Sequence, residues 1–429
     1  MKNLWKVTFL SLLLCCLFSA AQAEPLSIAG SYSGSIIRAY QREHPEAELT
    51  LSDYNFASIE ELINVLLFQD KSFDIMTLHT GAQDIDLLIE KGYCPTLDDS
   101  EIITEAVRQM YPSIQEGVTV DGHIYALPLS AWCTELAYDP QMLEELGLEL
   151  PHSFADMAEL VNSWQDLPPE ISEDYAPVEM IANYPSWFLL RSTEHYADTL
   201  AARGEPLHFD TPVYRELMAL QSSITTALND DWEDLPAPFQ SGIDITYNPS
   251  LQLVPIEMDG DIIYRGEMFV AVINPYSEHR EEAMAFLEWA AQNYTNTQKL
   301  YLFPGMTEPV ENSWYPAQIA NWTKKHDELL DKLNTCEESE RRFVQDELEE
   351  HEASLAAIEA DRYTISPEVI AEWDKVMPNM AFIPPTEFNQ SSDVFYTLMF
   401  RYLDGELPME EYIQEMERVA TMIRTENAE

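Results

Sequence analysis

Short apolar runs alternate with amphipathic stretches along the first part of this chain. Leu26 to Ala29 reads as a strand, the small-residue loop Gly30-Ser-Tyr-Ser-Gly-Ser35 leads into a helix from about Ile36 to Glu43, and Pro45 ends that helix. Ala47 to Leu51 is a second strand, Ile59 to Phe68 an amphipathic helix, and Phe73 to Leu78 a third strand opening into His79-Thr80-Gly81. This alternation predicts a mostly parallel sheet with covered faces. Open sheets of that kind bind ligands at the carboxyl ends of their strands, so the loops there are expected to form one wall of a cleft.

The run from Gly122 to Asp139 reads as a strand that leaves one α/β lobe, bends at Pro128 and enters another. Pro140 to Leu146 is then helical with Gly147 as its cap, and Ser153 is a candidate N-cap for the next helix. The section up to about Gly260 is rich in Pro and aromatic residues, gives only a weak secondary-structure signal, and is assigned to the second lobe. Met268 to Ile273 is an apolar strand, and the helix from Ser277 to Trp289, with Ala283, Phe286 and Leu287 on one face, reads as a return into the first lobe. From 321 to 361 the chain loses Pro and Gly, and Val344, Leu348, His351, Leu355 and Ile358 recur at spacings of four and three. They mark one arm of a helical hairpin whose other arm carries Leu329, Leu330 and Leu333. Ser366-Pro367 starts a further helix, and the chain ends in two amphipathic helices broken near Gly405.

The N-terminus adds a different kind of segment. Lys2 and Lys6 precede an apolar stretch from Val7 to Phe18, and small residues follow to Ala21-Gln22-Ala23, the three parts of a secretory signal over 1–23. The protein is therefore expected to be secreted, to the periplasm or the extracellular face of the cell envelope. Leu and Cys precede Cys15 and Cys16 where lipoprotein processing prefers a small residue, so a lipid anchor is not expected. Cys94, Cys133 and Cys336 would remain after cleavage, an odd and sparse set read as free thiols, with a single bridge as the alternative. The formal net charge is −53, which repels nucleic acid and anionic membranes. With 46% hydrophobic and 11% aromatic residues the chain is nonetheless a folded one. A mature length of roughly 400 residues suits two lobes better than one core.

In order and spacing, these pieces resemble the extracellular solute-binding proteins of ABC importers, of the family that includes maltodextrin-binding proteins. The likeness runs through Glu43-His-Pro45, Asp121-Gly-His-Ile-Tyr-Ala-Leu-Pro128, Leu136-Ala-Tyr-Asp139, Leu146-Gly147 with Pro151, the Ser277 helix, Val376-Met-Pro-Asn379 and Tyr402-Leu-Asp-Gly405. It implies an α/β, two-lobe periplasmic-binding-protein-like fold of type II, each lobe a mostly parallel sheet flanked by helices, with the hairpin as an insertion. Lobe 1 would comprise 24–127 and 267–310, and lobe 2 would comprise 128–266 and 311–429, hairpin 321–361 included. Crossings between them would lie near Leu127 to Ser130, Tyr264 to Glu267, and Gly305 to Trp314. The resemblance further implies a monomer that holds a small solute, a mono- or oligosaccharide by preference, and delivers it to the membrane subunits of an ABC permease. No cofactor and no metal is expected.

A neutral sugar presents hydroxyls at its rim and an apolar C–H face, so its site needs planar hydrogen-bonding groups beside aromatic platforms. Candidates at the expected cleft positions are Tyr32 after the first strand, Asn55 after the second, His79 after the third, Trp132 past the first crossing and Arg265 at the second. Trp187 and Tyr247 are the candidates from the second lobe.

Catalysis is not expected. Gly30-Ser-Tyr-Ser-Gly34 sits between a strand and a helix like a nucleophile elbow, but Tyr32 occupies the place of the nucleophilic serine. There is no His-Glu-x-x-His and no phosphate-binding glycine loop followed by Lys-Ser/Thr. The competing readings are a binding-only surface sensor or adhesion module, and capture of a cationic solute such as a polyamine favoured by the negative charge.

Overall fold

A computed structural model describes residues 25–30, 34–52, 54, 56, 59–81, 83–179, 183–224, 235–244, 250–360 and 362–427. The chain forms two compact units, Met1–Ser130 with Met268–Asn293, and Ala131–Glu267 with Tyr294–Glu429.

In the first unit the strand Leu26–Ala29 lies between Leu49–Leu51 and Ile75–His79, parallel to both. Phe269–Ile273 then adds antiparallel to Ile75–His79. Ile28, Ile75, Met76, Leu78, Val270 and Val272 are fully or almost fully buried, as residues of a sheet covered on both faces must be. The cover comes from helices such as Ile59–Leu67, which buries Leu62 and Leu66, and Arg280–Gln292, which buries Ala283, Phe286 and Leu287. Gly30 closes the first strand at φ +103°, and a Cβ there would lie 2.2 Å from the backbone oxygen of Thr77. Only glycine allows that approach at that dihedral.

Two strands run from one unit into the other. Leu127–Tyr138 passes the Ser130/Ala131 boundary, and Tyr264–Ile273 passes the Glu267/Met268 boundary. Pro128 stands second in its strand. The remaining boundary falls at Asn293/Tyr294, earlier than the position of about 310 read from the sequence. The reason is the short helix Asn296–Leu302, which starts on a Thr295/Gln298 capping box. It packs Tyr301 against Trp373 at 4.7 Å between ring centroids, and so belongs with the second unit.

The second unit has a mixed sheet rather than the mostly parallel one expected for it. Its part of Leu127–Tyr138 pairs antiparallel with Phe239–Asp244 and Gln252–Leu253, while Tyr264 and Arg265 pair parallel with Met380 and Ala381. A core of large rings fills the unit, with Trp164, Tyr184, Phe188, Tyr214, Phe239, Phe388, Phe395 and Tyr412 almost wholly buried. The section with a weak sequence signal contains two long helices, Tyr184–Ala202 and Pro212–Ser223. Tyr184–Ala202 buries residues on most of its circumference, which erases the amphipathic period that a sequence reading depends on. Asn183 and Thr211 cap the two helices through their side-chain oxygens, and Pro185 and Pro212 occupy first-turn positions.

The hairpin consists of helices Tyr315–Thr335 and Glu338–Ala360. Leu329, Val344 and Leu348 are buried along its seam. The Trp322 ring stacks on His326 at 4.9 Å and on His351 at 4.8 Å, and its Nε1 donates to the His351 carbonyl at 3.0 Å. Cys94 and Cys133 are buried thiols and Cys336 is half-buried, with no disulfide among them. Burial pushes the Cys94 thiol up to about 12, which keeps it protonated and unreactive.

Candidate functional site

Within the second unit a cavity of about 480 Å³ opens between two helices and a strand. The helix Tyr184–Ala202 contributes Ser186, Trp187, Leu190 and Arg191, and the helix Ser392–Leu403 contributes Tyr396, Met399, Phe400 and Leu403. Spacings of three and four bring each set onto one face of its helix. Ser241 arrives from the strand Phe239–Asp244, and Glu179 is held beside that strand by its backbone N–H on the Phe239 carbonyl at 2.8 Å.

Trp187 forms a fixed wall. Its side chain is buried, and its Nε1 donates to Ser241 Oγ at 3.1 Å, which ties the helix to the strand. Arg191 Nη1 donates to Glu194 Oε2 at 2.8 Å, and the Tyr396 hydroxyl also bonds to Glu194. Burial raises the Glu194 carboxyl, with Arg191 opposing the shift, and burial is also the main reason the Tyr396 phenol lies above its ordinary range. Among the described residues Arg191 Nε is a buried donor with no hydrogen-bond partner. Phe400 on the facing helix Ser392–Leu403 is 59% exposed.

One turn beyond Glu194 on the helix Tyr184–Ala202, Asp198 joins a second polar group. It pairs with Arg265 Nη1, which also donates to Asn389 Oδ1 at 3.2 Å. The Arg265 backbone N–H donates to Glu135 Oε1 at 3.1 Å. Desolvation pushes Glu135 up to about 8, and the neighbouring Asp198 and Glu194 charges add to the shift. Asp198 is raised for the same first reason, with Arg265 opposing it.

Of the residues picked from sequence, Tyr32, Asn55 and Tyr247 lie outside the described residues. His79 ends a strand of the first unit, half-buried, with its backbone N–H on Gln83 Oε1 at 2.7 Å and its ring 5.4 Å from that of Phe269. Trp132 is half-buried in the second unit and donates from Nε1 to Glu267 Oε2 at 3.1 Å. Arg265 has its guanidinium engaged by Asp198 and Asn389. Of the four that are described, Trp187 alone lines the cavity. Arg191, Ser241, Tyr396 and Phe400 were missed. The four-residue rhythm of Tyr396, Met399, Phe400 and Leu403 was present in the sequence, but ordinary core packing produces the same rhythm.

No family model matches the sequence, and no curated protein matches it. Solved structures do. An ABC transporter solute-binding protein from Agrobacterium radiobacter, in complex with ribitol, is 12% identical with a TM-score of 0.55, over 94% of this chain and 98% of that one. A cyclic α-maltosyl-1,6-maltose binding protein from Arthrobacter globiformis is 13% identical with a TM-score of 0.56, over 93% and 98%. An ABC transporter solute-binding protein from Thermotoga lettingae, bound with α-D-tagatose, is 15% identical with a TM-score of 0.52, over 93% and 98%. The chain has the two-lobe fold of these proteins along nearly its whole length.

Proposed function

We propose that this protein is the substrate-binding component of an ABC transporter that captures a saccharide or polyol and hands it to membrane permease subunits. The observation that carries the reading is the cavity beside Trp187 in a chain with the fold of sugar and polyol receptors. A rigid indole next to a hydroxyl, a guanidinium and a carboxylate is the combination a sugar's two faces require. Trp187, Arg191 and Ser241 are the contacts assigned to the second unit. His79, Trp132, Tyr32, Asn55 and Tyr247 are proposed as further contacts, and Arg265 as a positioning residue that holds Asp198. No chemical step on the ligand is proposed.

Capture by closing two units needs a guest that prefers the closed state. Shifting from about 1% to about 99% closed takes roughly 5.5 kcal/mol of differential binding. The strands Leu127–Tyr138 and Tyr264–Ile273 are the proposed flexing points, since each carries the chain between units. Export by the 1–23 segment would put the protein outside the cytoplasmic membrane, and no described helix is long and apolar enough to cross one. A thermal-shift screen of the mature protein over sugars, polyols, amino acids and polyamines, followed by calorimetry, tests the reading. A melting shift confined to saccharides and polyols is expected, together with loss of their uptake on deletion of the gene. A shift with amino acids or polyamines alone overturns it.

A further inference from the structure

We propose that the guest is a glycoside whose sugar carries an apolar, aromatic-sized group, rather than an underivatised sugar. This rests on the saccharide reading above and deepens it. The cavity wall built by Leu190, Met399, Phe400 and Leu403 offers a sugar hydroxyl no partner. The polar groups are few and partly engaged, since Ser241 Oγ already accepts from Trp187 and one Arg191 nitrogen already donates to Glu194.

A free hexose has hydroxyls on nearly every carbon. Seated against that wall it would lose hydration from groups that regain no hydrogen bond, at a cost comparable to a lost bond for each. A glycoside divides the problem. Its hydroxyls use the polar ends of Arg191, Ser241 and Glu179, while its aglycone covers the apolar wall. A guest there would also cover the Phe400 ring, which is 59% exposed and lies in the cavity lining. The space suits such a guest, as 480 Å³ lies within the usual range for small-molecule sites.

The test is calorimetry on the mature protein with paired methyl and 4-nitrophenyl glycosides of glucose, galactose, xylose and mannose, and with 4-nitrophenol alone. For at least one sugar the nitrophenyl glycoside is expected to bind about tenfold or more tightly than the methyl glycoside. Phe400→Ala should abolish most of that difference, weakening the nitrophenyl glycoside by more than the methyl glycoside. Because Phe400 is largely exposed, the variant should fold, and its melting temperature checks that. Equal affinities within every pair, or a preference undiminished in Phe400→Ala, overturn the inference while leaving the saccharide reading intact. Binding of 4-nitrophenol as tight as that of its glycosides, or no binding by any glycoside, also overturns the inference, and the thermal-shift screen over sugars and polyols then decides the broader reading separately.

Discussion

Arg265 and Asp198 form an ion pair whose side chains are 11% and 13% exposed, joining a strand that runs between the two units to the helix that builds the candidate site. Removing the arginine strands the carboxylate in a desolvated place. Arg265→Ala is expected to lose about 3–5 kcal/mol in urea denaturation, because breaking a buried pair costs more than the pair contributes. Arg265→Lys should recover part of that loss but not the bond to Asn389. If Arg265 only positions Asp198, Arg265→Lys will keep its affinity for ligand within a few-fold.

Glu135 provides a pH test. Its folded pKa is raised to about 8 from an ordinary 4.5, so the folded state binds the proton more tightly than the unfolded state. Its contribution is fully present below about pH 4.5 and is lost as the pH rises towards 8 and beyond. Glu135→Gln cannot ionise. In paired urea titrations the variant should gain on the parent progressively across that window; a constant difference would contradict it.

His195 titrates with the opposite sign. Burial lowers it from 6.5 to about 4, and among the described residues its Nε2 is a buried atom without a hydrogen-bond partner. The stability it contributes is present above about pH 6.5 and is lost as the pH falls towards 4. His195→Phe should flatten the acid limb of the melting curve, read by calorimetry between those values.

Trp187 can be divided into its wall and its hydrogen bond. Trp187→Phe keeps a ring and removes the donor to Ser241, at an expected cost of about 1 kcal/mol in stability. Saccharide affinity should fall about two- to fivefold, ~0.5–1 kcal/mol, by calorimetry.

Gly266 touches a ring that can be trimmed. A Cβ there would lie 2.6 Å from the Phe382 ring, so Gly266→Ala is expected to cost about 1–3 kcal/mol as overpacking. Phe382→Leu in the same chain should restore much of that, whereas at Gly30 the obstacle is the Thr77 backbone and no side-chain trimming will rescue Gly30→Ala.

The sequence by itself determined the elements whose neighbours in space are also neighbours in the chain. Ser153 caps its helix, Gly147 ends another at φ +66°, and Ala283, Phe286 and Leu287 are buried together, because each depends on residues a turn or less away. The hairpin seam at Leu329, Val344 and Leu348 was legible for the same reason. Tertiary structure decided the rest. Tyr184–Ala202 is buried nearly all round, so no polar face announced it, and the parting of the chain at Asn293/Tyr294 depends on a Tyr301–Trp373 contact made across a long sequence separation. The candidate site joins Trp187, Ser241 and Tyr396 from three distant segments, and Arg265 is occupied by an Asp198 that no local pattern links to it. Local periodicity reports which face of an element avoids water. Only the packed chain reports which faces meet, and a binding site consists of such meetings.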